Sequence, residues 1–355
     1  MFRRLASTNF QRAKDVMTGK KLIVVSGITG TQGSSVANHF LKHDDWRIRG
    51  ITRNPDSEKA KAWTAKGVEL VQADQDDVQS LKRAFKGANA IFSVTDYTTS
   101  YTKVAEDEAL QKKAAAEGKT INEYARDLEV AQGINVATAA SDPEVLATLE
   151  RFVLSTLTGI KKVSGGKYKN ACQFDSKADV ENYVRETKPE LSKRMSTVNM
   201  GSYLENWRSM SLFGPQKEPD GTYTFLRLKW PGTHEAHPEV WASKDTGAFV
   251  EALVLRHPPG TNVLGASEII SRADYAALWG RVMGVKATVK DIPEEEFVTH
   301  VPEEIKDEMM EYFKFIAEYG YTGGNASVKT PAELGILTTP LERFIKGEDW
   351  SSVMK

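Results

Sequence analysis

The sequence predicts an α/β protein in which a doubly wound parallel sheet is followed by a smaller α+β lobe. Three observations support this fold class. The apolar run Leu22 to Val25 leads into three spaced glycines and then into a helical pattern. Further short apolar stretches alternate with helical segments up to residue 200, which is typical of a parallel sheet with helices on both faces. Beyond residue 201 this alternation ends, and short strands and amphipathic helices follow.

The first strand and its glycines predict a phosphate-binding turn. Gly27, Gly30 and Gly33 have the spacing G-x-x-G-x-x-G, and a helix is expected over residues 34–41. The first glycine permits the turn, the second lets a pyrophosphate approach the backbone, and the third lets the helix pack closely on the strand. The free N–H groups of the first helical turn favour a phosphate. We expect a dinucleotide site in a Rossmann fold, with a purely structural turn as the alternative.

The end of the second strand predicts the choice of cofactor. This strand is expected over residues 47–52 and is followed by Arg53, and no acidic residue lies between Trp46 and Asn54. A carboxylate here would accept a hydrogen bond from the ribose 2′-OH of NAD, whereas an arginine suits the 2′-phosphate of NADP. NADP(H) is therefore the expected cofactor. The alternative for Arg53 is a solvated charge at a strand end.

Later strands are predicted to bring further polar residues to the carboxyl edge of the sheet, where open α/β folds bind ligands. They are expected over residues 68–72, 90–94, 151–157 and 196–200. Asp74 and Gln75 follow the third strand and are candidates to contact the adenine, although Asp74 is equally suited to cap the next helix. Thr95 follows the fourth strand.

The remaining helical segments are less regular. Residues 101–119 are rich in Lys, Glu and Ala without an apolar stripe, so they predict an exposed helical insertion or lid. Other helices are expected over residues 121–140, 173–186, 245–255, 275–283, 303–319 and 340–345. A hairpin turn at 219–221 and a last short strand at 262–265 complete the prediction.

These patterns suggest three segments. Residues 1–19 are expected to be a disordered N-terminal arm, with a mitochondrial transit peptide as the alternative because four basic residues precede the first acidic one. Residues 20–200 would form the nucleotide-binding domain. Residues 201–355 would form the lobe for a substrate or partner, with 240–270 returning to the Rossmann sheet.

Composition excludes several classes of function. The chain of 355 residues has a net charge of −1, which disfavours direct nucleic-acid binding. It lacks an apolar run long enough to span a membrane, and a single cysteine, Cys172, allows no internal disulfide. The histidines show no metal-ligand spacing, so no metal is expected. We expect a cytoplasmic monomer or homodimer, with Cys172 as a buried small side chain.

Several segments, in order, resemble the NmrA-like family of atypical short-chain dehydrogenase/reductases. They are VVSGITGTQG, ITRNPDSEKA, VQADQDD, GGKYKNACQFDSKADVENYV and GSYLENW. The resemblance implies a Rossmann domain with a smaller C-terminal lobe that binds NADP(H). It implies that the phosphates are held by Gly27, Thr29, Gly30, Thr31, Gln32, Gly33 and Arg53. Lys177 would reach the nicotinamide ribose, and Tyr203 and Asn206 match the family's Tyr and Asn after the sixth strand.

The usual proton donor of this chemistry is missing. A conventional short-chain reductase combines a serine with Tyr-x-x-x-Lys, in which the tyrosine protonates the developing alkoxide. Ser155 and Lys177 are present, but Gln173 stands four positions before the lysine and an amide cannot supply a proton. The candidate replacements are Tyr97, Tyr168, Tyr203 and Lys177 itself, although each tyrosine is better suited to line a pocket wall and Lys177 is better suited to bind the ribose.

Three functions follow as hypotheses. The first is an NADP(H)-dependent oxidoreductase acting on a small organic carbonyl or imine. The second is a non-catalytic NADP(H) redox sensor that binds a regulatory protein, and the third is a non-redox rearrangement enzyme that retains the nucleotide. A cleft lined by Tyr97, Tyr168, Tyr203 and Trp207 is expected, and an aromatic lining of this kind favours a small-molecule substrate.

Overall fold

The computed structural model describes residues 19–354, so the predicted N-terminal arm lies outside the described residues except for Gly19. The strands are β1 (Lys21–Val25), β2 (Trp46–Thr52), β3 (Glu69–Gln72), β4 (Ala90–Ser93), β5 (Arg151–Thr156), β6 (Met195–Met200), β7 (Ser202–Tyr203), β8 (Pro215–Lys217), β9 (Tyr223–Leu228), β10 (His237–Val240), β11 (Asn262–Gly265), β12 (Glu268–Ile270), β13 (Ala287–Ile292) and β14 (Val328–Lys329).

The helices alternate with these strands in the first part of the chain and cluster near its end. They are α1 (Thr31–Phe40), α2 (Glu58–Ala65), α3 (Val78–Phe85), α4 (Tyr97–Glu106), α5 (Glu108–Ala116), α6 (Ile121–Ala140), α7 (Pro143–Leu146), α8 (Ile160–Val163), α9 (Cys172–Thr187), α10 (Pro189–Ser192), α11 (Ala242–Leu255), α12 (Arg272–Met283), α13 (Glu294–Phe297), α14 (Lys306–Tyr319), α15 (Leu341–Gly347) and α16 (Ser351–Met354). Short 3₁₀ turns cover Leu204–Arg208, Ser211–Phe213, Val298–His300 and Glu303–Ile305.

The large sheet has eight strands in the order β14, β11, β6, β5, β4, β1, β2 and β3. Every neighbouring pair is parallel. From β1 the chain moves outward through β2 and β3, and it then returns to the other side of β1 through β4. The resulting switch point lies between β1 and β4, where the loops after both strands open a crevice. The predicted fold class is confirmed.

Strand β1 shows why this sheet needs helices on both faces. Ile23 and Val25 pack into one core with side chains of α1 and α11, while Leu22 and Val24 pack into the other with side chains of α3, α6 and α9. Successive side chains of a strand point to opposite faces, so a continuous apolar run is buried on both. The two layers fix β1 at the centre of the molecule.

The C-terminal part of the chain contributes to these layers. Strand β11 pairs with β6, and α11 packs tightly on α1 at Gly247. A Cβ atom added to Gly247 would lie 2.3 Å from the carbonyl oxygen of Ser35. The hydroxyl of Ser35 accepts from the N–H of Gly247 at 2.9 Å and donates to the carbonyl of Lys244 at 3.0 Å. These contacts hold the helix that begins at the glycine loop.

The predicted excursion at residues 101–119 is helical and mostly exposed, but a few buried positions anchor it to the rest of the protein. It consists of α4 and α5, and Asp107 ends the first helix and caps the second through the N–H groups of Ala109 and Leu110. Val104 and Ala114 are buried, and α4 packs along α6. The polar composition hid this contact because the buried positions are few and small.

The rest of the C-terminal part forms a separate lobe. It contains two three-stranded sheets, β12-β10-β7 and β13-β9-β8, around an aromatic core. In this core Trp207 stacks on Trp350 with ring centroids 4.3 Å apart. Strands β8 and β9 are antiparallel and joined by the predicted hairpin turn. The edge strand β14 was not predicted, since two residues carry no periodic signal.

Candidate functional site

The loop between β1 and α1 has the geometry of an anion-binding turn. Gly27 has a φ of +62°, a conformation that residues with a Cβ rarely adopt. A Cβ on Gly33 would lie 2.2 Å from the carbonyl oxygen of Gly27, so the third glycine is required for the helix to pack on the turn. Gly30 caps the helix without a side chain. The first N–H groups of α1 therefore face the crevice with no capping side chain in front of them.

A first cavity of about 580 Å³ opens above this loop. It is bounded by the loop, by the ends of β2 and β3, and by the segment after β4. The predicted cofactor residues along its wall are Gly27, Thr29, Gly30, Thr31, Gln32, Gly33, Arg53, Asp74, Gln75, Thr95 and Tyr203. The structure thus gathers residues from five separate segments around one space. The other two predicted cofactor residues, Lys177 and Asn206, line a neighbouring cavity.

Three residues at the far side of the first cavity have distinct environments. Arg53 is exposed directly after β2. The side-chain amide of Gln75 donates to the carbonyl of Val94 at 2.9 Å, which ties the loop after β3 to the end of β4. The carboxylate of Asp74 accepts from the N–H of Asp76 at 2.9 Å. The interpretation of Asp74 as a helix cap is wrong, because Asp77 caps α3.

A second cavity of about 450 Å³ adjoins the first. The two share a wall formed by Gln32, Thr95, Asp96 and Tyr203. Within this wall the side-chain amide of Gln32 donates to the hydroxyl of Tyr203 at 2.6 Å. The second cavity also contains Ser155, Lys177 and Asn206 together with the rings of Tyr97, Tyr101, Phe174, Phe213, Tyr312 and Tyr321. Its lining therefore combines aromatic rings with polar and charged side chains.

Lys177 is held by a buried carboxylate. Its ammonium group donates to Oε1 of Glu129 on α6, whose other oxygen accepts from the hydroxyl of Ser176. Glu129 is fully buried, and Lys177 is only 8% exposed. Lys177 is therefore not a solvated side chain on the helix surface. Lys177 has a fixed position beside the second cavity, and Glu129 is the residue that positions it.

Two of the candidate tyrosines reach the second cavity with their hydroxyl groups already bonded. Tyr97 donates to Asn122 at 3.2 Å, and Tyr203 accepts from Gln32. Burial raises the pKa of the Tyr97 phenol well above its usual value, and enclosure of the Tyr203 phenol raises its pKa as well, against the hydrogen bond from Gln32. Both phenols hold their protons strongly, which makes them poor acids.

Tyr168 and Trp207 do not lie in the cleft. Tyr168 packs in a different cluster with Ile160 and Phe315, and its hydroxyl donates to Glu318 at 2.8 Å. Burial raises its pKa to about 12. Trp207 belongs to the aromatic core of the C-terminal lobe. The prediction of Tyr168 as a proton donor is corrected, because the loop before α9 turns this ring toward α14 and away from the cavity.

Sequence reasoning missed Glu308. This residue lies on α14, lines the second cavity, and is only 5% exposed. Its Oε2 atom is buried and has no hydrogen-bond partner among the described residues. Burial raises the pKa of the carboxyl to about 8, against a hydrogen bond from the backbone of Gln173 and the charge of Lys177. A carboxyl group that retains its proton near neutral pH therefore faces the cavity.

Other chemical groups in the described part of the chain are less informative. No cluster of His, Cys, Asp and Glu within residues 19–354 could hold a metal ion. Burial raises the pKa of the Cys172 thiol to about 12, so this buried residue is a weak nucleophile. Among residues 19–354, no helix has the length and apolar character needed to cross a bilayer.

A family model confirms the resemblance inferred from the motifs. The model described as the NmrA-like family matches residues 19–345, which includes the glycine loop, both cavities and most of the C-terminal lobe. The chain belongs to the NmrA-like family.

Curated proteins of the NmrA-like family match most of the chain. An NmrA-like family domain-containing protein of Dictyostelium discoideum is 23% identical over 313 residues, which cover 87% of this chain and 92% of the relative. The NmrA-like family domain-containing oxidoreductase malD of Malbranchea aurantiaca is 30% identical over 281 residues, covering 76% and 75%. The similarity therefore extends over both parts of the fold.

Solved structures share the architecture of the NmrA-like chain. NmrA, a negative transcriptional regulator crystallised with NAD, has a TM-score of 0.68 at 19% identity, with 94% of this chain and 99% of the other covered. The NADPH-dependent quinone oxidoreductase QOR2 of Escherichia coli, complexed with NADPH, has a TM-score of 0.62 at 17% identity, covering 92% and 99%. At these identities the likeness shows the fold alone.

The arrangement in this NmrA-like chain supports two kinds of chemistry. The first cavity offers backbone N–H groups and a guanidinium, which suit phosphates. The second offers a fixed ammonium, a serine hydroxyl and a neutral carboxyl within an aromatic enclosure. Groups of this kind can hold a small polar ligand and give it a proton.

Proposed function

We propose that this chain is an NADP(H)-dependent reductase of a small organic carbonyl or imine. One observation carries the proposal, namely that the two cavities adjoin through the wall formed by Gln32, Thr95, Asp96 and Tyr203. The phosphate-binding loop lies on one side of this wall, and Lys177 with the aromatic lining lies on the other. Each cavity has the size expected of a ligand pocket, about 300 to 1,000 Å³.

The choice of NADP(H) over NAD(H) is based on Arg53. The arginine follows β2 at the rim of the first cavity, beside Asn54 and Ser57. A guanidinium makes charge-assisted hydrogen bonds to a 2′-phosphate, worth about 1.5 to 3 kcal/mol each. Ser57 is the N-cap of α2, so the N-terminus of a second helix also borders this position. These groups favour an additional phosphate on the adenosine ribose.

The relatives support a redox function. The protein malD and several other fungal relatives are named oxidoreductases, and QOR2 is an NADPH-dependent quinone oxidoreductase. NmrA has been crystallised with NAD and with NADP. The glycine loop fits such a nucleotide, because Gly30 at the N-cap places no side chain over the first N–H groups of α1.

The residues of the protein would bind the nucleotide, orient the substrate and exclude bulk water. Bound NADPH supplies a hydride to the acceptor carbon. The first turn of α1 would hold the pyrophosphate, Arg53 the 2′-phosphate, and Lys177 the nicotinamide ribose. Tyr312 and Phe213 would pack against the substrate in the second cavity and keep bulk water from it.

Two measurements test this function. Calorimetry with NADPH, NADP, NADH and NAD should show tight binding of the phosphorylated pair. Loss of NADPH absorbance should then be followed with 9,10-phenanthrenequinone, 3-nitrobenzaldehyde and 3,4-dihydroisoquinoline, which represent quinones, aldehydes and imines. Heat-denatured protein is the control for uncatalysed oxidation. Turnover of one class supports the proposal and names the substrate chemistry.

The remaining outcomes contradict the reductase proposal in different ways. Tight NADPH binding without turnover of any probe would favour the sensor hypothesis, in which nucleotide occupancy is read by a partner protein. Failure to bind any of the four nucleotides would overturn both hypotheses, since each requires the first cavity to hold the dinucleotide.

A further inference from the structure

We propose that the carboxyl group of Glu308 is the proton donor of this active site, in the role that short-chain reductases give to the tyrosine before the conserved lysine. The inference rests on the proposed reductase function. It assigns to a residue of the C-terminal lobe a step that conventional members perform from the helix that carries the lysine.

The position of Glu308 carries the argument. Gln173 occupies the tyrosine position, four residues before Lys177, and all three residues line the second cavity. The backbone of Gln173 is hydrogen bonded to the Glu308 carboxyl. Helix α14 therefore delivers an acid to the place on α9 from which the tyrosine is missing. The glutamine at position 173 and the buried carboxyl of Glu308 therefore belong to the same local arrangement.

The unpartnered oxygen of Glu308 points to a ligand. Oε2 is buried and has no hydrogen-bond partner among the described residues, and Glu308 lines the second cavity together with Met309 and Tyr312. A buried polar atom left unsatisfied costs about 1 to 3 kcal/mol, and native proteins rarely retain one without a reason. A substrate oxygen or nitrogen in the second cavity would supply the missing partner.

Burial, assisted by neighbouring negative charges, keeps this carboxyl neutral. The titratable groups that face it are Lys177, Asp175 and Cys172 of α9, Glu129 of α6 and Tyr97 of α4. Burial is the main cause of its raised pKa of about 8, and the negative charges of Glu129 and Asp175 raise the value further. Lys177 opposes them, but its ammonium is already paired with Glu129. At neutral pH Glu308 therefore carries the proton that reduction requires.

The proposed step balances. The hydride brings two electrons to the acceptor carbon, and the π pair of the C=O or C=N bond moves to the heteroatom. That atom takes the proton from Oε2 of Glu308, which leaves a carboxylate. The products are an alcohol or amine and the oxidised nucleotide. Glu308 then regains its proton from water, which completes the cycle without a further reactant.

The alternative to proton donation is that Glu308 has only a structural role. The N-cap residue of α9, Ala171, provides no capping side chain, so the Glu308 carboxyl could serve only to accept from the first turn of that helix. Glu308→Gln keeps an acceptor of the same size but removes the transferable proton. Glu311→Gln is the matched control, because Glu311 lies on the same helix and accepts from the backbone N–H of Asn170 at 2.6 Å outside the cavity.

Kinetics provide the first test, with the probe that the wild type turns over fastest. The wild-type kcat should fall as pH rises above about 8. Glu308→Gln should lower kcat about 100-fold and flatten its pH profile, with the NADPH dissociation constant and melting temperature at pH 7 little changed. Glu308→Asp should retain part of the rate, and Glu311→Gln should behave as the wild type. A Glu308→Gln variant with wild-type kcat and pH profile would overturn the assignment.

Infrared difference spectroscopy provides a second test that needs no substrate. The carbonyl band of a protonated carboxylic acid should disappear from wild type and Glu311→Gln as pH is raised through about 8, and it should be missing in Glu308→Gln. Absence of that band in the wild type would overturn the assignment even if no probe reacted. Failure of the proposed function is a separate result, because it appears as wild-type protein that does not bind NADPH or that binds it without turning over any probe.

Discussion

Two alanine substitutions in the binding loop should have different main effects, because Gly33→Ala should mainly lower stability and Gly30→Ala should mainly lower NADPH affinity. In Gly33→Ala the new methyl group would lie 2.2 Å from the carbonyl oxygen and 2.5 Å from the carbonyl carbon of Gly27. Both atoms belong to the backbone, so the contact is relieved only if the turn moves away from α1. In Gly30→Ala the nearest atom is 3.4 Å away, which is an ordinary van der Waals contact.

The structure sets the expected magnitudes. Overpacking of a well-packed site costs about 1 to 3 kcal/mol, and the backbone contact in Gly33→Ala places it at the upper end. Its melting temperature without nucleotide should fall by roughly 3 to 4 °C. Gly30→Ala should lose only about 0.5 to 1 kcal/mol, through a poorer N-cap. Its NADPH affinity should nevertheless fall at least about tenfold, since a methyl group would occupy the path of the pyrophosphate.

Thermal unfolding followed by circular dichroism and calorimetric titration with NADPH measure the two effects. Gly347→Ala is the control for glycine replacement in general, because a Cβ there meets nothing within 4 Å. If Gly33→Ala has the same melting temperature as the wild type, the close packing of loop and helix is refuted. If Gly30→Ala binds NADPH with wild-type affinity, the pyrophosphate does not pass over Gly30.

Three further predictions concern charged residues. Arg53→Asp should weaken NADPH binding at least about tenfold while NADH binding is kept. The control is Arg83→Asp, which changes an exposed arginine outside both cavities and should alter neither affinity. Equal NADPH affinity in both variants would contradict the role of Arg53. Lys177→Met should lower the free energy of unfolding, measured in urea, by about 3 to 5 kcal/mol because Glu129 is left buried without its cation. The double variant with Glu129→Gln should regain most of that stability. A single variant as stable as the wild type would refute the importance of this ion pair. The folded-state pKa of Glu308 is raised from 4.5 to about 8, so the stability from its proton is complete at acidic pH and is lost as pH rises through about 8. The melting temperature should therefore decline more steeply between about pH 5 and 8 in wild type than in Glu308→Gln, and parallel curves would contradict the raised pKa.

Local patterns predicted the first cavity well because its parts are local. The turn requires a glycine at Gly27 and a helix start beyond it, and both are written within a few residues of sequence. Arg53 follows from the end of a strand. Tyr168 could not be placed in this way, because its orientation depends on Glu318, which lies 150 residues later in the chain. A loop residue takes its direction from tertiary contacts that no short window contains.

The buried acids were missed for a different reason, although a signal was present. A glutamate in an amphipathic helix is usually assigned to the solvated face. Glu308 lies four and seven positions before Tyr312 and Phe315, however, which places it on the buried stripe of α14. Glu129 lies four positions after Ala125 on the buried stripe of α6. A carboxylate that shares the helical spacing of buried apolar residues therefore indicates a buried acid, whose charge must be neutralised inside the protein.

The way in which these two buried acids are neutralised links stability to chemistry. Two carboxyl groups and one ammonium meet beside the second cavity, and the ammonium of Lys177 is bonded to Glu129. Glu308 is left without a cation of its own in a place that excludes water, so the neutral form is the one with the lower free energy. The pairing of Lys177 with Glu129 thus does more than hold the lysine in place. It favours the protonated form of Glu308, and a protonated carboxyl is what the proposed reductase would need with Gln173 at the tyrosine position.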